Sequence, residues 1–153
     1  MQAGLALPGI TGYGETEAPP LLDRTLQAEV AAGAISALGG PWWRMKALEW
    51  IYPGEVFTRY IVPGGGFFLL MHDHCPLVAL VPDTWDAAEP RFPDLEDETP
   101  MDGLPKPFRY LPGTLLRAAP EPAFIEALPA CEAAQLRART PASLGEAIFN
   151  IWD

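Results

Sequence analysis

Long apolar runs are missing from this chain of 153 residues, and no stretch approaches the roughly 18–20 apolar residues that a membrane-spanning helix requires. Cations are scarce as well. Ten Lys and Arg stand against twenty Asp and Glu, giving a formal net charge of −10, the wrong sign for wrapping a phosphate backbone. Neither a membrane nor a nucleic acid is therefore expected as a partner. The only cysteines, Cys75 and Cys131, are too few for a disulfide framework and read as reduced thiols. The first basic residue is Arg24, and the apolar letters Leu5-Ala6-Leu7 end at Pro8-Gly9, so the start lacks the charged and apolar parts of a secretory signal. A cytoplasmic location follows as the expectation.

Chemistry-bearing motifs are equally sparse. Lys46 and Lys106 are the only lysines and neither lies near Gly64-Gly65-Gly66, so no phosphate cradle is visible. Ser36 and Ser143, the only serines, fall in helical patterns rather than at a nucleophile elbow. No cofactor is expected.

What is present reads as a globular α+β protein, with 49% hydrophobic and 20% charged residues. Residues 1–18 read as a flexible N-terminal arm, and residues 19–153 as a single α+β domain. A helix is expected after Pro19-Pro20, with Leu22, Leu26, Val30, Ala34 and Leu38 as its apolar stripe and Gly39-Gly40-Pro41 as its stop. Period-two alternation through Leu48, Trp50 and Tyr52, and again from Val56 to Val62, marks two strands. Glu49, Glu55 and Arg59 give these two a water-facing side. Residues 67–71 and 77–81 add two strands that are apolar on both faces. The expected sheet is an antiparallel meander of four to five strands, the fifth at 108–111, packed with the N-terminal helix and C-terminal helices. Residues 121–138 read as helix broken at Pro129, and the last helix is expected to start at Thr140 with Pro141 in its first position.

Between Asp83 and Asp102 lie eight acids and one base, Arg91, so −7 of the net charge falls in twenty residues. Prolines 82, 90, 93, 100, 105 and 107 forbid a long helix or a central strand there. Residues 83–106 are expected to leave the sheet as an acidic, proline-rich excursion. Trp85 and Phe92 interleave with Asp94, Glu96, Asp97 and Glu98, a pattern of carboxylates with spaced apolar anchors that suits a partner with a basic surface.

His72-Asp73-His74-Cys75 is the one cluster able to bind metal or act as a nucleophile. Two imidazoles two residues apart in extended chain project to one side, which is half of a zinc or iron site. The other reading makes these turn residues that cap strand ends. Gly66, His72 and His74 have the spacing that resembles the opening of the cupin metal motif, over nine residues. Val78 and Ala79 stand where cupins place a glutamate, and there is no third histidine, so the resemblance implies no cupin site.

Trp42 and Trp43 follow Gly40-Pro41, where two adjacent rings cannot both turn inward easily. Either both lie over the sheet edge as a lid on the core, or they form an exposed aromatic anchor at a protein interface, where Trp is enriched among hot spots. The sequence thus favours a small acidic, non-catalytic binding protein acting through protein contacts, of the chaperone, inhibitor, immunity or assembly-factor type. A two-fold homodimer is expected to complete the cover of the apolar strands. The alternative is a small metal-binding protein or metalloenzyme using His72 and His74.

Overall fold

A computed structural model of the chain describes residues 2–12, 14, 19–48, 51–52, 54–95 and 98–152. Four strands run in sequence order as an antiparallel meander: β1 (Lys46–Leu48), β2 (Phe57–Ile61), β3 (Phe67–His72) and β4 (Leu77–Pro82). A two-residue fifth strand, β5 (Arg109–Tyr110), adds to β4 in parallel, so the sheet is mixed, with order β1-β2-β3-β4-β5. The parallel join follows from the excursion. A chain that leaves the end of β4 and returns beside its start must cross over rather than turn back. The fold is α+β, and the expected meander is its core, but the first strand is shifted: β1 ends at Leu48, and Tyr52, expected within it, lies in a bend.

Pleating sends Leu69, Met71, Val78 and Leu80 to one face of the sheet, and Leu70, Leu77, Ala79 and Val81 to the other. Helix α1 (Arg24–Ala37) covers the first face with Val30, Ala31, Ala34 and Ile35. Its start is fixed by Asp23, whose carboxylate accepts the Leu26 N–H at 3.0 Å. Its end is fixed by Gly39 at φ 81 and the Gly40 N–H bonded to the Ile35 carbonyl. The expected stripe of steps by four is only partly buried, because each such step overshoots a turn by about 40°. Leu26 consequently faces solvent, and Gln27, Ala31 and Ile35 take the inward positions.

Four short helices close the second face: α2 (Gly113–Leu116), α3 (Pro122–Ala127), α4 (Ala130–Arg139) and α5 (Leu144–Ile148). Pro129 separates α3 from α4 as the missing N–H requires. Thr140 does not start the last helix. It ends α4 in the left-handed region at φ 45, and Ser143 caps α5 by accepting the Glu146 N–H at 3.1 Å.

Two further expectations are corrected. Residues 2–12 are packed structure rather than a loose arm: Leu5 and Ile10 enter the core of the second face, and Gln2 and Thr11 are buried. Residues 15–18 lie outside the described residues. Arg59 and Glu55 are not on a wet face either. Both are buried and paired at 2.7 Å, and the Arg59 guanidinium lies 4.9 Å from the Phe57 ring and 5.6 Å from that of Trp85. The aromatic walls make room for a cation that the alternation alone places in water. Glu49 and Trp50 lie outside the described residues. Since both faces of β3 and β4 are covered by the chain's own elements, no second subunit is needed to cover them.

Candidate functional site

The histidine cluster sits at the β3–β4 connection, and His72 is fully buried there. Its Nδ1 accepts the backbone N–H groups of His74 at 3.0 Å and Cys75 at 3.1 Å. The proton therefore belongs on Nε2, which donates to the Ile10 carbonyl at 2.7 Å. Burial then pushes the imidazole pKa down from 6.5 to about 3, because an ion at this position would be stripped of water. Both ring nitrogens hold backbone, so His72 has no lone pair to offer a metal while these bonds stand. His74 turns its Nδ1 to the Pro20 carbonyl at 3.0 Å, with ring centroids 5.8 Å apart. Among the described residues no group of three or more His, Cys, Asp or Glu comes together as a metal site.

The rest of the cluster is engaged in the same way. Asp73 accepts the Thr58 hydroxyl at 2.7 Å and pairs with Arg24 at 3.2 Å, tying the start of α1 to the sheet. Its pKa is nonetheless raised, burial outweighing these partners. Gln27 continues this network, accepting the Tyr60 hydroxyl at 2.8 Å and donating to the His72 carbonyl at 3.1 Å. Burial, with Glu132 nearby, pushes the Cys75 thiol up to about 12, which keeps it protonated and poorly nucleophilic.

The excursion runs from the end of β4 across to β5 with its apolar and acidic side chains sorted to opposite sides. Trp85, Ala87 and Phe92 are buried in the core of the second face, and Met101 in that of the first. Trp85 and Phe92 are therefore not exposed partner anchors, as the sequence pattern suggests, but core residues. Phe57, Trp85, Phe92 and Phe149 form a chain of ring contacts with centroids 5.5 to 6.3 Å apart. Phe92 can sit so deep because glycine lies beneath it. A Cβ on Gly145 would fall 2.3 Å from its ring, and one on Gly113 2.8 Å from its carbonyl oxygen. These two glycines are the signal for the anchored excursion, and without the tertiary contact nothing distinguishes them from turn residues. Arg117 completes the seat, donating to the Phe92 carbonyl at 2.6 Å and pairing with Asp94 at 2.9 Å.

With its apolar side chains inside, the segment turns its acids outward. Asp83, Asp86, Glu89, Asp94 and Asp102 are exposed. Asp86 is oriented by the Tyr52 hydroxyl at 2.9 Å and the Ala88 N–H at 3.0 Å. Glu98, half-buried, accepts the Tyr110 hydroxyl at 2.5 Å on the wall of a cavity of about 600 Å³. Burial and this carboxylate together raise the Tyr110 pKa. Glu96 and Asp97 lie outside the described residues.

Trp42 and Trp43 stand apart from all of this, in a single 3₁₀ turn between α1 and β1. They are 50% and 70% exposed and meet edge to face at 6.0 Å. Comparison with protein-family models, curated proteins and solved structures finds no match to this chain. No helix among the described residues is long and apolar enough to cross a membrane.

Proposed function

We propose that this chain is a non-catalytic binding protein that presents the outer surface of residues 83–106 to a protein partner with a basic surface. The observation that carries this reading is the sorting of the excursion: Trp85, Phe92 and Met101 are core anchors, and Asp83, Asp86, Glu89, Asp94 and Asp102 are left on the outside. A like-charged loop with no anchors would lose much conformational entropy on binding. One pinned by Trp85, Phe92 and Met101 has less left to lose. An acidic surface held this way steers a cationic partner, and the steering is screened beyond about 10 Å at 0.1 M salt. An inhibitor, chaperone, immunity or assembly factor acts through such a surface without chemistry of its own. The metal-binding alternative loses ground because His72 spends both ring nitrogens on backbone.

The test is affinity capture from extract of the native host at low and raised salt, with an Asp83→Asn/Glu89→Gln variant beside the natural chain. Both residues are exposed, so their neutralisation leaves the core untouched. A partner held at low salt, released at 0.3–0.5 M and bound about 3- to 10-fold more weakly by the variant, supports the reading, the range expected for two surface charges. A partner bound equally by both proteins at both salts overturns it.

A further inference from the structure

The outer side of α1 carries two grooves, one on each flank. On the β1 side, Thr25, Ala28, Ala32, Trp42, Trp43 and Met45 line the first. On the other side, Leu26, Val30, Gly33, Ala37, Leu104 and Pro105 line an apolar groove of about 400 Å³. Glu29 lies on the crest and borders both. The two flanks differ in charge. Beside the indoles stand Arg44 and Lys46, exposed, their side chains without hydrogen bond or ion pair among the described residues. Beside the apolar groove stand exposed Asp102, between Met101 and Gly103, and exposed Lys106, next to Pro105, with Arg109 on the same cavity wall as Asp102. The α1 face thus offers bulky aromatics with cations on one flank, and an apolar recess bordered by charges of both signs, Asp102 its exposed anion, on the other.

We infer that this face pairs with a second copy of the chain about a two-fold axis running along α1, the Trp42–Trp43 pair of each copy filling the apolar groove of the other. Such an axis sets the indole flank of one copy against the groove flank of its mate, twice over, and brings Arg44 and Lys46 toward the partner's Asp102. The crest between the grooves carries Thr25, Ala32, Gly33 and Ser36, small enough for close approach, and a Cβ on Gly33 would meet nothing within 4 Å. Two elements are unfavourable: Glu29 meets its own counterpart near the axis, and Lys106 shares the flank of Asp102 that faces the partner's cations. This pairing shares its Trp42 or Trp43 anchor with the homodimer expected from the sequence, but it covers the outer side of α1 rather than the sheet. It also leaves Asp83 and Glu89 free for another partner.

Sedimentation velocity at micromolar concentration reads the result. The natural chain is expected at twice 16.6 kDa. Trp43→Ala removes the insert and Ala37→Arg blocks the recess from an exposed position, and each is expected to weaken the dimer at least 10-fold. Mixed, the two variants are expected to recover heterodimer, since the Trp43 of one still fits the open groove of the other. Glu29→Gln is expected to tighten the natural dimer. A monomeric natural chain, variants that dimerise undiminished, or a mixture no tighter than its components would each overturn the pairing. Salt-sensitive capture that still depends on Asp83 and Glu89 in a monomeric chain would leave the proposed function standing while removing the dimer.

Discussion

Glu132 on α4 is buried, yet it bonds to nothing on its own helix. Its Oε1 accepts the Thr11 N–H at 2.9 Å and the Thr11 hydroxyl at 2.7 Å, and its Oε2 accepts the Gly9 N–H at 2.9 Å. Replacing it with glutamine keeps the shape and removes one acceptor. With the amide oxygen toward Thr11, the amide NH₂ faces the Gly9 N–H, donor against donor. Flipped, it faces the Thr11 N–H, though the hydroxyl can rotate to accept. Either way one buried N–H is stranded and a charge-assisted bond is lost, for a combined cost of about 2–4 kcal/mol. Against a typical total of about 5–15 kcal/mol that is a large fraction. Urea unfolding of Glu132→Gln should show a lower midpoint at unchanged slope, and hydrogen exchange should speed up first at residues 9–11. A loss under about 0.5 kcal/mol, or exchange at Gly9 and Thr11 matching the natural chain, would refute the claim that this carboxylate holds the N-terminal segment.

Two further outcomes test the buried charges. Arg59→Met leaves the Glu55 carboxylate buried with only backbone donors from Ile51 and Tyr52, and is expected to cost about 3–5 kcal/mol. Adding Glu55→Gln should return part of that loss in urea unfolding, because it removes the stranded charge. For His72, whose pKa is depressed from 6.5 to about 3, the folded state resists the proton that the unfolded chain takes up. Its contribution is therefore complete above pH 6.5 and is lost as pH falls toward 3, with a slope of about 1.4 kcal/mol per pH unit. That slope, measured between pH 6.5 and 5, should vanish in His72→Gln, and nitrogen NMR at pH 6 should find the proton on Nε2.

The parts of the fold legible in the sequence are those with strong periodicity. Alternation placed β2, short apolar runs bounded by turn residues placed β3 and β4, and Gly39-Gly40-Pro41 placed the end of α1. The helix break at Pro129 followed from one missing N–H. What escaped was everything decided by a distant contact. Residues 2–12 carry small and turn-forming letters, and nothing local shows that Glu132, 121 residues from Thr11, waits to bind them. Arg59 alternates as a surface residue should, and only the rings of Phe57 and Trp85 make its burial tolerable. Trp85 and Phe92 read as bait for a partner because the glycines that seat Phe92, at 113 and 145, lie far along the chain. Ser143 lost to Thr140 as a cap in the reading because Thr-Pro is the stronger local signal. The chain instead uses Thr140 to end α4, and needs three more residues to turn.

The same contacts explain why the one reactive-looking cluster offers so little chemistry. Turn bonds satisfy only part of the N-terminal segment's backbone, Ile10 N–H to the Leu7 carbonyl at 3.1 Å and Gly12 N–H to the Gly9 carbonyl at 2.9 Å, so once buried it must find side chains for the rest. In this molecule those side chains are the ones a catalytic site would draw on. His72 holds the Ile10 carbonyl, Glu132 holds the Gly9 and Thr11 N–H groups, and Asn150 donates to the Thr11 carbonyl at 3.1 Å. The Cys75 thiol lies 3.6 Å from the Pro8 carbonyl. Residues 8–11 are thus fastened at four points by histidine, glutamate, asparagine and cysteine, each buried and each shielded from solvent by the segment it fastens. To free the Nδ1 lone pair of His72 for a ligand, the chain would have to release the turn at His74 and Cys75, whose N–H groups it holds. Among the polar groups left to meet another molecule are the outward carboxylates of the excursion and the cations beside Trp42 and Trp43. Recognition by surface charge and aromatic contact is what those groups can do.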